Sequence, residues 1–202
     1  ELGLGESYPV IMAGSTHPGE EKALFDAFKK VRDKYSDARL VIAPRKTNRA
    51  DEIAKLAASY GYETGYRSKM LEHPDMRKAY PVVLIDTIGE LGRIYAVGDV
   101  VYVGGSLSKT GGHNVLEPAA HAKPIIVGPN MQNFKDSYSL LSKVGACKMI
   151  NNTTELANEM LDIISNDDRR AKMGAASLQV IKENRGADIR SIHYLKELLE
   201  LT

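Results

Sequence analysis

The sequence predicts an α/β fold, a doubly wound parallel sheet closed by a helical C-terminal tail. Apolar runs of strand length recur between segments of helical period, the alternation expected of a parallel sheet wrapped by helices. The 202 residues, 43% of them apolar, are enough for one packed core. No internal repeat, low-complexity stretch or Gly/Ser-rich linker divides them, so residues 1–202 read as one domain.

Strands are expected near Pro9 to Ala13, Leu40 to Ala43, Tyr62 to Tyr66, Val82 to Ile85, Val100 to Gly104 and Pro124 to Val127, with a short last one near Lys148 to Ile150. Helices are expected over Glu20 to Tyr35, Arg49 to Tyr60, Gly89 to Tyr95, Val115 to Ala122 and Phe134 to Val144. Ser68 to Tyr80 lacks a clear period and reads as a long loop. From Thr154 three helical stretches follow one another, with stops at Asn166-Asp167 and Arg185-Gly186 and the last running from Asp188 to about Leu201. Such a tail commonly covers one face of the sheet, or crosses to a neighbouring domain.

A formal charge of +1, with Lys and Arg dispersed among Asp and Glu, argues against nucleic acid as a partner. A single cysteine, Cys147, excludes an internal disulfide and a Cys-based zinc site; it fits a reducing compartment and reads as a small buried hydrophobe. No stretch approaches the roughly 20 apolar residues of a membrane helix, and Glu1 to Ser7 lack the features of a signal peptide, so the chain is expected to be soluble. It starts without Met and enters an apolar run within a few residues, as a piece of a longer protein would.

The most informative passage runs Val101-Tyr102-Val103-Gly104-Gly105-Ser106, continues from Leu107 to Thr110, and ends Gly111-Gly112-His113-Asn114-Val115-Leu116-Glu117-Pro118. A strand enters paired glycines, a polar loop follows, and a second pair opens a helix. Pro118 is tolerated only in the first turn, so the helix is expected to start close to Asn114. Gly111, Gly112, His113 and Asn114 then occupy a helix N-terminus, where unpaired N–H groups and the positive end of the dipole favour an anion such as phosphate. The alternative is plain capping, since Asn114 and Glu117 also form a capping box.

Other loops are expected on the same edge. In a doubly wound sheet the first and fourth strands commonly flank the switch point where ligands bind, and the Gly14-Ser15 and Gly104-Gly105 turns are expected at those carboxyl ends. Ile85 to Leu91 and Ala43-Pro44-Arg45-Lys46 end two further strands, and Arg45 is suited to stack on a base or pair with phosphate. Taken singly, each also reads as an ordinary strand-to-helix turn.

Several chemistries are disfavoured. The turn after the first strand, Gly14-Ser15-Thr16-His17-Pro18-Gly19, lacks the G-x-G-x-x-G of dinucleotide sites, and neither a P-loop nor a G-x-S-x-G elbow occurs. The five histidines, at 17, 73, 113, 121 and 193, have no metal-ligand spacing, and no metal site is expected. His113 reads as a lone residue beside the helix start, an orienting hydrogen-bonder or a catalyst. The absence of an Asp-x-Asp pair argues against metal-clamped nucleotide-sugar chemistry.

The run from Gly104-Gly105-Ser106 through Gly111-Gly112-His113-Asn114 and Leu116-Glu117-Pro118-Ala119-Ala120 to Lys123-Pro124 and Gly128-Pro129-Asn130-Met131-Gln132-Asn133-Phe134 resembles the Kdo (3-deoxy-D-manno-octulosonic acid) transferase family. So do Ala13 to Glu21, Pro44-Arg45 and Asp86-Thr87-Ile88-Gly89-Glu90-Leu91, in the same order along most of the chain. The resemblance implies the Rossmann-like C-terminal half of a GT-B glycosyltransferase, holding the donor CMP-Kdo for a metal-independent, inverting transfer to a lipid A precursor, with no cofactor. It implies Gly111, Gly112, His113 and Asn114 on the donor phosphate, Glu117 on the ribose hydroxyls, Arg45 by the cytosine and the backbone of Thr87 and Ile88 on its edge. Ser15 and Ser106 are weaker candidates for phosphate or sugar. Oriented N–H donors would stabilise the charge that departure from CMP leaves on phosphate.

Lys46 departs from the His that often follows Pro-Arg in the family. The resemblance further implies that the acceptor half, with its membrane contact at the cytoplasmic face of the bacterial inner membrane and its glutamate base, lies outside this chain. Alone, the chain is expected to bind donor weakly and to transfer nothing. The alternatives are a UDP-sugar transferase or epimerase domain, and a non-catalytic nucleotide-binding module that uses its helical tail as an interaction surface.

Overall fold

The structure, a computed structural model, describes residues 2–4, 8–73 and 79–184. Among them seven strands form one sheet: β1 (Val10–Thr16), β2 (Arg39–Pro44), β3 (Thr64–Tyr66), β4 (Val82–Leu84), β5 (Val100–Val103), β6 (Ile125–Val127) and β7 (Cys147–Met149). Every pairing is parallel, in the order β3-β4-β2-β1-β5-β6-β7. The helices are α1 (Glu20–Lys34), α2 (Ala50–Ser59), α3 (Arg67–Glu72), α4 (Leu91–Ile94), α5 (Leu116–Ala120), α6 (Lys135–Lys143), α7 (Thr153–Ser165) and α8 (Asp167–Asn184).

The strands are unbroken apolar runs because both faces are covered. Ile11 and Ala13 of β1 and Leu40 and Ile42 of β2 join one core with residues of α1, α2 and α7. Their alternates Val10, Met12, Val41 and Ala43 join a second core with residues of α3 to α6 and α8. In α1, Leu24, Phe25, Phe28 and Val31 recur at helical spacing and are fully buried, each burial contributing about 1.5–3 kcal/mol. Glu20 and Glu21 in its first turn and Arg32 and Lys34 in its last match the helix dipole.

The order in which strands are added reverses at β1, with β2 on one side and β5 on the other. The strand across the switch point is thus the fifth and not the fourth. The β3–α3–β4 unit adds β4 between β2 and the edge strand β3.

Other differences have local causes. β1 runs on to Thr16, through the turn expected after Ala13, because its register with β2 skips one residue. Gly14 faces Ala43 and Thr16 faces Pro44, leaving Ser15 bulged at φ 54°. The segment read as a loop from Ser68 contains α3, and residues 74–78 of it lie outside the described residues. The expected helix from Gly89 begins only at Leu91 and tightens into a 3-10 turn over Tyr95–Val97. The tail covers both faces: α7 packs on α1, and α8 on α5 and α6. Gly174 makes the latter approach possible, since a Cβ there would lie 2.3 Å from the Ala122 carbonyl oxygen. The third expected helix, Asp188 to Leu201, lies outside the described residues.

Candidate functional site

The carboxyl ends of β4, β2, β1 and β5, adjacent in that order, bring the candidate residues to one edge of the sheet. At its centre the two glycine turns touch. Gly104 N–H donates to the Gly14 carbonyl at 2.8 Å, and a Cβ on Gly104 would lie 2.4 Å from the Ser15 carbonyl oxygen. Beneath them Tyr95 is buried, its hydroxyl filling the space a Gly14 side chain would need. Burial, and then the nearby Glu117 carboxylate, push the Tyr95 phenol up, so it stays a neutral hydroxyl.

The loop after β5 is organised by an anion of the protein itself. Glu20, 1% exposed, accepts through Oε1 from the Ser106, Leu107 and Ser108 amides at 3.0, 2.9 and 3.2 Å and from the Tyr102 hydroxyl at 2.8 Å. Its Oε2 accepts from the Gly105 amide at 2.8 Å and the His17 amide at 2.9 Å. The nest of amides after Gly104 is therefore filled by Glu20. Ser106, expected on phosphate or sugar, is fully buried. Its Oγ donates to Val103 O at 2.6 Å and accepts from Gly128 N–H at 2.8 Å, so it ties the loop to β6 and does not face the edge.

The second glycine pair behaves differently. Gly111 and Gly112 take φ 94° and 78°, and Cβ atoms there would press on the Asn133 side chain at 2.4 Å and on Met131 Sδ at 2.5 Å. Gly112 N–H is spent on the Gly105 carbonyl at 2.8 Å. The N–H groups of Gly111, His113 and Asn114 meet no acceptor among the described residues. The expected capping box does not form: α5 begins at Leu116 after Val115 without a side-chain cap, Asn114 Oδ1 accepts from Leu116 N–H at 3.0 Å in a local turn, and Asn114 Nδ2, not its N–H, donates to Glu117 Oε1 at 3.2 Å. Pro118 is the third residue of α5, where no N–H is required.

His113 is not alone. His17 Nε2 lies 2.8 Å from His113 Nε2, with the rings stacked at a centroid distance of 5.1 Å. Desolvation first, then His17 and Arg45, hold the His113 imidazole below its ordinary value. Arg45 is exposed, makes no ion pair among the described residues, and is anchored by its N–H to Thr16 O at 3.0 Å. On the β4 side, Thr87 Oγ1 donates to Glu90 Oε2 at 2.5 Å. Glu90 also pairs with Arg67 at 2.9 Å, while Ile88 stands 89% exposed.

Sequence reasoning passed over His17, Glu20 and Tyr95 as site residues. His17 and Glu20 carried a faint signal in their place directly after the first strand; Tyr95 carried none.

No family model matches the chain. It is 34% identical over 193 residues to the 3-deoxy-D-manno-octulosonic acid transferase of Haemophilus influenzae, covering 95% of this chain and 44% of that protein. The Aquifex aeolicus protein of the same name is 34% identical over 155 residues, 77% of this chain and 42% of the relative. The chain thus spans under half the length of these curated relatives. The solved C-terminal CMP-Kdo binding domain of WaaA from Acinetobacter baumannii superposes with a TM-score of 0.79 at 26% identity, over 87% of this chain and 90% of that one. A UDP-N-acetylglucosamine 2-epimerase structure from Listeria monocytogenes, with a TM-score of 0.56 at 19% identity, shares the fold alone.

Proposed function

The chain belongs by sequence to the 3-deoxy-D-manno-octulosonic acid transferase family, and from that premise we propose that it is the donor-binding domain, holding CMP-Kdo for transfer to a lipid A precursor. One observation carries the reading: the edge that unites Arg45, His113, Asn114 and Glu117 at the β1–β5 switch point is in a chain matching a CMP-Kdo binding domain over nearly its whole length.

In this reading residues 1–202 form one donor domain. The open amides of His113 and Asn114, with Gly111, take the phosphate. Glu117, steadied by Asn114, accepts from the ribose hydroxyls, and Arg45 and the Thr87–Ile88 backbone take the cytosine. Ser15 serves through its bulged backbone. Oriented donors that need no reorganisation stabilise charge on the departing CMP phosphate. The general base, the acceptor site and contact with the cytoplasmic face of the inner membrane belong to the remaining length of the relatives, so this domain alone turns over no donor.

Calorimetric titration with CMP and UDP, beside Arg45→Ala and Glu117→Ala, tests the reading. CMP selectivity that both variants lose by tenfold or more is expected. Preference for UDP would replace the reading by a UDP-sugar transferase or epimerase domain, and transfer to a lipid acceptor by this chain alone would refute the division of labour.

A further inference from the structure

The two imidazoles at the switch point have a property that the donor reading does not use. A contact of 2.8 Å between Nε2 of His17 and Nε2 of His113 is a hydrogen bond only when one nitrogen carries a proton and the other is bare. A second proton would set two N–H groups head to head. We propose that His17 and His113 form a proton-linked receptor for a phosphate monoester: the pair shares one proton by itself and takes up a second when a phosphate oxygen accepts from both rings.

The surroundings favour this exchange. Directly after β2, Arg45, without an ion pair among the described residues, adds a positive charge close enough to depress His113. At the first position of α1, Glu20 is the carboxylate that acts on His113, and its oxygens already accept from six donors. On α1, Glu21 is held by Arg49 at 2.7 Å and by Thr16 at 2.8 Å. On α5, Glu117 accepts from Asn114. These three carboxylates thus already have hydrogen-bond or ion-pair partners, and an incoming dianion meets two half-exposed rings and a guanidinium. It supplies the charge that makes a second proton favourable, and by linkage it binds more tightly as pH falls.

The inference rests on the donor reading, and its test separates the two. The chain would be titrated calorimetrically with CMP and with cytidine at pH 6.5, 7.5 and 8.5, in buffers of different ionisation enthalpy. These values stay above the second ionisation of a phosphate monoester, near ~6. CMP is expected to take up a proton and to bind about three- to tenfold more tightly per unit fall in pH, while cytidine shows neither effect. His17→Gln and His113→Gln keep an N–H donor without titrating, and each is expected to bind CMP with the pH slope gone.

Inorganic phosphate followed through the imidazole NMR signals gives an arm free of the nucleotide: both rings are expected to move toward imidazolium. Imidazole protonation by phosphate without CMP binding would overturn the donor reading and leave the pair standing. CMP binding without proton uptake, or an unchanged slope in both variants, would overturn the pair, as would imidazole signals that neither ligand moves.

Discussion

The Glu20 carboxylate accepts the Tyr102 hydroxyl at 2.8 Å, joining the first turn of α1 to the last strand residues before the glycine-rich loop. The same carboxylate holds the Gly105, Ser106, Leu107 and Ser108 amides. It is a positioning residue: it shapes the loop that presents Gly111 to Asn114 without facing the edge itself. Glu20→Ala leaves that nest unsatisfied and is expected to cost about 3–5 kcal/mol, the range for removing one partner of a buried charged network. Urea midpoints check this, and Glu20→Gln, which keeps one acceptor oxygen, is expected to lose less.

Gly104 and Ser15 are packed backbone to backbone. A methyl group on Gly104 meets the Ser15 carbonyl oxygen at 2.4 Å, the Ser15 carbonyl carbon at 2.7 Å and Thr16 Cα at 2.7 Å, none of which can rotate away. Gly104→Ala is expected to destabilise by about 1–3 kcal/mol and to weaken CMP binding by spreading β1 from β5. Gly92→Ala is the control. Its nearest neighbour would be Glu117 Oε2 at an ordinary 3.8 Å, and replacing a helical glycine there is expected to gain about 0.5 kcal/mol.

His113 gives the fold an acid-side weakness. Its imidazole is held down in the folded chain, by desolvation first and then by His17 and Arg45, so the unfolded chain takes up that proton at the higher pH. Stability is therefore expected to be flat above the unfolded value of about 6.5 and to fall as pH drops below it. His113→Gln is expected to flatten that limb in urea midpoints taken from pH 7.5 to pH 5.

Cys147 reports on the edge of the sheet. It begins β7, paired with Ile125 of β6, and burial pushes its thiol well above the usual range. A thiol reagent is expected to leave it unmodified in the native chain at pH 8 and to react fully once urea unfolds the chain. Rapid native labelling would mean that β7 opens independently of the rest.

How much of this was legible in the sequence differs by element. The runs Val100 to Val103 and Leu40 to Ala43 announced strands because a strand buried on both faces is apolar throughout. Phe25, Phe28 and Val31 announced α1 through their spacing, and Pro118 limited where α5 starts because its missing N–H fits only the first turn. β4 was visible as a strand, but its place between β2 and β3 was not, since strand order leaves no mark on local pattern.

The sequence by itself determined the alternation of strand and helix, the placing of glycines where φ is positive and side chains are excluded, and the kinship carried by ordered motifs, because each is written in local spacing. Only the tertiary structure decided that Ser106 is sealed inside, that Glu20 fills the first amide nest, and that His17 meets His113 across 96 positions of chain. Those outcomes depend on which strand ends become neighbours. That is set by how two cores close around one sheet, and no run of residues a few positions long contains it.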